Sequence, residues 1–249
     1  MNIRVGITGA GGFLGGHISR ALAAHGGASI SKCDVSKGCN LIDPRAAERF
    51  VCDKDVIIHA AAVSRGSDAD IIAGSVVATW NLLSAAAALK KKPKIIFFSS
   101  IHAASFDNTY GISKKLTEVM LEDFAKRLGV PVSIFRLTNV FGEGSKPFYT
   151  SVVATFCYQL SHGKKPTVSP LARKVTFIYV GDVVRLIARE VFTKRRGKFY
   201  FKHVASKNQI TVPQLAALLQ KLSSMKNESE LKSKFERDLY RTYKSYTKA

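Results

Sequence analysis

Cysteine is scarce in this 249-residue sequence, and what there is does not gather. Cys33, Cys39, Cys52 and Cys157 contain no CxxC pair and have no partner histidines at zinc-ligand spacing. That excludes a zinc-finger framework and a disulfide-dense scaffold, so all four are expected as free thiols. A run of 18 or more apolar residues is also missing, and the N-terminal MNIRVGITGAGG lacks the apolar stretch and small-residue cleavage site of a secretory leader. A membrane partner is not expected, and the cytoplasm is the expected compartment. Acidic residues are the other shortage: 18 Asp and Glu stand against 38 Lys and Arg, a formal net charge of +20. Such a surface attracts nucleic acid, anionic membrane or a diphosphate substrate. The basic residues are dispersed in short clusters (Lys90-Lys91-Lys92, Lys164-Lys165, Lys194-Arg195-Arg196) without interleaved stacking aromatics. This pattern reads as a solvated basic face rather than a nucleic-acid site. Internal repeats and low-complexity segments are absent.

What is present is an ordinary globular composition, 46% hydrophobic and 22% charged, in a length that one α/β domain can fill. Strand and helix signals alternate. Ile3 to Thr8 is a β-rich run, a glycine cluster follows, and Gly15 to His25 has helical apolar spacing. Further buried strands are expected at Asp55 to His59, Lys94 to Ser99 and Val132 to Leu137, separated by helices over Ser75 to Leu89 and Lys114 to Leu128. This order predicts a Rossmann-like, doubly wound parallel sheet with a small C-terminal substrate-binding region. The single domain spans 1–249, with 1–142 mainly cofactor-binding and 143–249 mainly substrate-binding and C-terminal helices. In the second part, helices are expected over Phe148 to Leu160 and Asp182 to Phe192, with a strand at Lys174 to Tyr179. Thr211 and Gln214 form a capping box opening a helix through Leu222, and Tyr240, Tyr243 and Tyr246 mark a docked helix face.

In TGAGGFLG, Gly9, Gly12 and Gly15 fall between the first strand and the first helix, where a pyrophosphate rests on a helix N-terminus. Gly9 permits the tight turn, Gly12 opens backbone N–H groups to the phosphates, and Gly15 lets the helix approach the sheet. Phe13 and Leu14 complete this cofactor loop. Asp34 stands at the expected end of the second strand, where a carboxylate accepts hydrogen bonds from adenosine ribose hydroxyls and favours NAD. Lys32 and Lys37 flank it and would suit a 2′-phosphate, so NAD and NADP both remain open. Leu41 is expected beside the adenine, and Ala60, Ala61 and Ala62 along the cofactor, with His59 packed beneath the loop.

Tyr110-Gly-Ile-Ser-Lys114 places a phenol and an ammonium four residues apart on one helix face. A neighbouring cation favours the phenolate, bringing a group that ordinarily ionises near ~10 toward exchange at neutral pH. Tyr110 is then the general acid, Lys114 its tuning partner and a cofactor ligand, and Ser100 the hydroxyl that orients a substrate carbonyl, with Ser99 as the fallback. His102, two residues past Ser100, is a further candidate for substrate contact. No metal ligands are expected, and a homodimer is expected through the helices near Lys90 and Leu121.

Together, TGAGGFLG, HAAA, Ser99-Ser100, YGISK and RLTNVFG resemble the NAD-dependent epimerase/dehydratase branch of the extended short-chain dehydrogenases, over nearly the whole chain. More narrowly, VSRG, PFYTSVVATFCYQLSHGK, VTFIYVGDVV and FERDLYRTYKSY are similar to the reductase domain of CapF-type capsular polysaccharide enzymes. The resemblance implies NADPH-dependent reduction of the C4 ketone of a UDP-2-acetamido-2,6-dideoxy-hexos-4-ulose, on the way to UDP-N-acetyl-L-fucosamine. It implies Tyr110, Lys114 and Ser100 as the catalytic set, Arg65, Asn139 and Lys146 lining the UDP-sugar pocket, and Arg173 facing the diphosphate. The pattern departs from the family at Ser75, where an Asn often stands, and at Val175, where an Arg is common. The family's C-terminal, metal-binding cupin domain is not matched, so no cupin chemistry is assigned. Two rival readings share the fold: a nucleotide-sugar 4-epimerase or dehydratase that regenerates its cofactor, and a non-catalytic cofactor-binding regulator or nucleic-acid-associated protein.

Overall fold

The computed structural model describes residues 2–168, 174–194, 198–225 and 227–247. In chain order its strands and helices are β1 (Ile3–Thr8), α1 (Phe13–His25), β2 (Ala28–Cys33), α2 (Pro44–Val51), β3 (Val56–His59), α3 (Asp68–Ile72), α4 (Ala78–Ala88), β4 (Lys94–Ser100), α5 (His102–Ser105), α6 (Thr109–Arg127), β5 (Val132–Leu137), β6 (Asn139–Phe141), α7 (Val152–Ser161), β7 (Lys174–Tyr179), α8 (Val180–Phe192), β8 (Phe199–Val204), β9 (Gln209–Thr211), α9 (Val212–Ser223) and α10 (Lys234–Tyr246). They divide into two compact units, Met1–Leu137 with Val184–Val204, and Thr138–Val183 with Ala205–Ala249. The chain leaves the first unit after Leu137 and returns to it over Val184–Val204, which supplies β8.

The first unit is a six-stranded parallel sheet in the order β2-β1-β3-β4-β5-β8. Strand order reverses direction between β1 and β3, which makes the carboxyl ends of those strands the switch point where α/β sheets take ligands. The sheet is covered on both faces, and its strands read as near-continuous apolar runs for that reason. On one face Ile57, Ile95, Phe97, Val132 and Ile134 pack with Phe50 of α2, Leu82 and Leu83 of α4, and Leu121 and Phe124 of α6. Gly6 faces this side too, since a Cβ there would meet Phe50 Cζ at 2.7 Å. Alternation therefore turns Val5 and Ile7 to the opposite face, where His25 of α1 stacks on Phe192 of α8. At the far end of the sheet Lys94 Nζ pairs with the buried Glu190 carboxylate, which also accepts from the Ser133 hydroxyl at 2.8 Å.

The helix expected from Ser75 begins earlier. A capping box between Ser67 and Asp70 starts α3, and α3, a π turn over Ala73–Val77 and α4 form one 21-residue run, Asp68–Ala88, with a mean hydropathy of 1.6 in its most apolar window. Among the described residues this is the one helix long and apolar enough by length and composition to cross a membrane, although Asp68, Asp70, Ser75, Thr79, Asn81 and Ser84 interrupt it. Here Ile71, Ala78, Leu82, Leu83, Ala85 and Ala86 are buried, as in a core helix.

A second correction concerns the cysteines. Cys33 and Cys39 form a disulfide, while Cys52 is exposed and free and Cys157 buried and free. A 3-10 turn over Val35–Lys37 followed by Gly38 at φ 76° reverses the chain and brings the two Cα atoms to 5.1 Å. That separation lies within the range a disulfide bridges. A five-residue gap carries no sequence signature for such a turn.

The second unit holds a small sheet in the order β6-β7-β9, parallel between β6 and β7 and antiparallel between β7 and β9. Helices α7, α9 and α10 pack together in it. The expected capping box opens α9, with Thr211 and Gln214 satisfying each other's backbone donors. On α10, Tyr240 and Tyr243 are buried and the Tyr246 hydroxyl donates to Ser145 O, so the tyrosine face is a docked face.

Candidate active site

The glycine-rich loop leaves β1 at its carboxyl end. Gly9 sits at φ +63°, and a Cβ on it would lie 2.7 Å from the Ala61 backbone nitrogen, so only glycine lets this turn touch the HAAA segment. At Gly15 a Cβ would meet Gly9 O at 2.2 Å, so the close approach made here is of the helix to the glycine loop, where the expectation was of the helix to the sheet. Gly12 is the N-cap of α1, donates from its N–H to Gly9 O at 3.0 Å, and has open space on its Cα beyond that oxygen. No side chain caps α1 and no acidic residue lies in its first turn, so its N-terminal N–H groups remain a seat for an anionic phosphate. These residues fit a dinucleotide pyrophosphate. Phe13 and Leu14 are half-buried in the first turn, with Phe13 edge-on to His17.

Asp34 follows β2 directly. One carboxylate oxygen accepts from the Gly11 N–H at 2.8 Å, and the other from the Ser36 N–H at 3.1 Å and the Ser36 hydroxyl at 2.6 Å. The Ser36 hydroxyl first, and then the backbone donors, hold this carboxyl below the usual carboxylate range. A fixed negative charge therefore borders the glycine loop. Leu41 is buried in the α2–α4 core, and its carbonyl accepts from Asn81 Nδ2 at 3.0 Å.

Beneath the loop runs a chain of buried hydrogen bonds that was only partly anticipated. Ala61 N–H donates to Thr8 Oγ1 at 3.1 Å, and Thr8 Oγ1 lies 2.7 Å from His59 Nδ1. His59 Nε2 lies 2.9 Å from Thr79 Oγ1, which itself donates to Ser75 O. Since the Thr79 proton is used there, Nε2 carries the imidazole proton and Nδ1 accepts from Thr8. Burial, with the Lys114 charge adding, pulls His59 down to about 3, so the ring is neutral. The chain pins Ala60 and Ala61, both half-buried, while Ala62 is exposed. His59 was identified from sequence; that it would meet Thr8 of the glycine motif and Thr79 of α4, far apart in the chain, was not.

The catalytic candidates stand on the next strand and helix. β4 ends at Ser100, which is half-buried and whose Oγ accepts from His102 N–H at 3.3 Å. Ser99 is buried, and its hydroxyl has no hydrogen-bond partner among the described residues. α6 begins five residues before Lys114: Asn108 caps it by accepting from Gly111 N–H at 2.9 Å. Gly111 is required there, since a Cβ would meet His102 O at 2.6 Å. The cap puts Tyr110 in the first turn, half-buried, with its ring edge-on to His102 at 6.2 Å. Lys114 Nζ is 5.8 Å from the Tyr110 ring centroid, 4.6 Å from that of Phe97, and donates to Phe98 O at 2.9 Å. Burial pulls this ammonium down to about 8, opposed by Glu118 one turn on. Glu118 is itself held by a two-pronged pair with Arg136.

The sugar-nucleotide candidates fall in both units. Arg65 is exposed in the loop after β3 in the first unit. Asn139 in β6 donates from Nδ2 to Thr176 O at 3.1 Å, and Lys146 is exposed with Nζ 5.6 Å from the Tyr149 ring, both in the second unit. Arg173 lies outside the described residues. Among those described, no three His, Cys, Asp or Glu side chains gather as a metal site.

A switch-point glycine loop, a carboxylate after β2 and a Tyr-Lys pair beyond β4 define an α/β protein of the dinucleotide-binding class. The chain belongs to the NAD dependent epimerase/dehydratase family, which matches residues 5–198. It is 30% identical to a UDP-2-acetamido-2,6-beta-L-arabino-hexul-4-ose reductase of Pseudomonas aeruginosa over 98% of this chain and 65% of that protein. Among solved structures it is similar to the capsular polysaccharide assembling protein CapF of Staphylococcus aureus, with a TM-score of 0.79, 31% identity, and coverage of 98% of this chain and 65% of that one. A UDP-glucose 4-epimerase from Thermotoga maritima shares the fold, with a TM-score of 0.85 at 20% identity and 99% coverage of both chains. The chain thus spans about two thirds of the length of the first two relatives.

Proposed function

We propose that the protein is a reductase that passes hydride from a reduced nicotinamide dinucleotide to the C4 ketone of a 4-keto UDP-2-acetamido-2,6-dideoxy sugar, in nucleotide-sugar and capsular polysaccharide synthesis. The observation that carries this reading is the buried Lys114 ammonium one helical turn from Tyr110, at the carboxyl edge of β4. The cofactor supplies the hydride. Tyr110 donates the proton to the ketone oxygen, Lys114 stabilises the phenolate left behind, and Ser100 donates to the same oxygen and fixes its direction. Gly9, Gly12, Phe13, Leu14 and Gly15 hold the pyrophosphate, and Ala60, Ala61 and Ala62 line the dinucleotide. Arg65, Asn139, Lys146 and Arg173 are assigned to the UDP-sugar, and the cytoplasm is the proposed location. The Pseudomonas relative supports a reductase over an epimerase, and the distinction is measurable. A reductase consumes one reduced cofactor per ketone, whereas an epimerase or dehydratase shows no net consumption.

The family resemblance favours NADPH as the electron donor. Asp34 favours a second reading, NADH, because an ionised carboxylate already held by Gly11 and Ser36 repels a 2′-phosphate and accepts from ribose hydroxyls. The ratio of kcat/KM for the two donors decides, and Asp34→Asn should shift it toward NADPH. A homodimer is assigned to the exposed apolar stripe Ile112, Leu116 and Val119 on α6, beside Val77 and the exposed Trp80 at α4.

A further inference from the structure

We propose that Cys33 and Cys39 are a thiol–disulfide exchange site that sets the affinity of the neighbouring dinucleotide site, an inference that rests on the cofactor reading above. Cys33 is the last residue of β2 and Asp34 the next, so the bridge closes the loop that presents the ribose-facing carboxylate. That loop meets the glycine-rich loop at two points: Ala10 N–H to Cys33 O at 3.4 Å, and Gly11 N–H to the Asp34 carboxylate at 2.8 Å. Inside it, Lys37 and Cys39 N–H groups both return to Asp34 O, at 2.9 and 3.1 Å. The disulfide is the one covalent tie across this turn. Its other ties are short-range hydrogen bonds, the Ser36 hydroxyl to the Asp34 carboxylate at 2.6 Å among them, around an exposed segment in which Val35 is 70% exposed.

The two limbs are unequal. Cys33 is 1% exposed and packed in the hydrophobic core, whereas Cys39 is half-buried and leads into the loop ahead of α2. Of the two sulfurs, that of Cys39, at the edge of the core and less buried than Cys33, is the one a dithiol reductant would attack. Its thiolate attacks, the Cys33–Cys39 bond breaks as a mixed disulfide forms at Cys39, and the reductant's second thiol then closes its own disulfide. Two electrons pass to the protein, two protein thiols result, and the dithiol is oxidised to its cyclic or bridged disulfide. Once open, the loop gains the conformational freedom the bridge removed. The core holds Cys33, so the motion falls on residues 34–39 and Asp34 loses its fixed place against Gly11.

The test uses the full chain and NADH and NADPH titrations followed by fluorescence of the bound cofactor, before and after dithiothreitol. Iodoacetamide labelling and peptide mass report the state of Cys33 and Cys39. The dissociation constant should rise about tenfold on reduction, equivalent to ~1.4 kcal/mol, and return on reoxidation. Cys39→Ser should hold the weak value with or without dithiothreitol, and Cys52→Ser should respond as the wild type does. Dissociation constants within about twofold of each other in the two states overturn the proposal, as does alkylation of both thiols in the oxidised protein. Loss of dinucleotide binding in both states sinks the reductase reading itself, whereas equal binding sinks the exchange site alone.

Discussion

Two buried bases, His59 and Lys114, both lie against the Phe97 ring, and each is shifted toward its neutral form by burial. For His59 the sign is clear: the unfolded chain takes up a proton below about 6.5 and the folded chain only near 3. Stability is therefore unaffected by this residue above ~6.5 and falls by up to roughly 1.4 kcal/mol per pH unit as pH drops through that window. His59→Asn, which does not titrate, should show a shallower dependence of the urea midpoint on pH between about 6 and 4. Lys114 behaves in the opposite range. Above about 8 its ammonium is lost from the folded protein, so kcat/KM should decline on the alkaline side with an apparent pKa near that value. Removing one link of the His59 chain has a separate cost. Thr79→Val leaves the His59 Nε2 proton without an acceptor and should lower unfolding free energy by about 1–3 kcal/mol, read from denaturant unfolding.

The loop–helix element β1–α1 gives paired predictions from its glycines. Gly15→Ala drives a methyl into Gly9 O, at 2.2 Å, and should cost roughly 1–3 kcal/mol together with dinucleotide affinity. Gly16→Ala, one residue on, meets nothing closer than Arg20 Nη1 at 3.6 Å and should stabilise by about 0.5–1 kcal/mol, as alanine does inside a helix. Elements of this kind were readable in advance because their signals are local. β1, β5 and β7 run where their apolar runs lie, and the Thr211–Gln214 box marks the start of α9. What escaped was of three kinds. Short or exposed strands such as β6, β8 and β9 have too few buried positions to show a period, as in β8, where Lys202 and His203 are exposed. Contacts among residues far apart in sequence, such as Thr8, His59 and Thr79, depend on strand order and have no spacing to read. The Cys33–Cys39 bridge belongs to a third case, a turn whose closure depends on Gly38 taking φ 76°.

At the scale of the molecule, the apolar stripe on α6 leaves Ile112, Leu116 and Val119 exposed at spacings of four and three residues, so all three share one helical face. A second copy of the chain is the proposed cover, and sedimentation should show a dimer that Leu116→Glu converts to a monomer without loss of helical signal. A wild-type monomer at every concentration contradicts that assignment. The catalytic claim is tested most directly by following reduced cofactor in the presence of a 4-keto UDP-2-acetamido-2,6-dideoxy sugar, with wild type and Tyr110→Phe side by side. Wild type should oxidise one cofactor per ketone, and Tyr110→Phe should lose at least about a hundredfold in turnover while binding dinucleotide nearly unchanged. Turnover surviving intact in Tyr110→Phe, or no net oxidation by the wild type, contradicts the account.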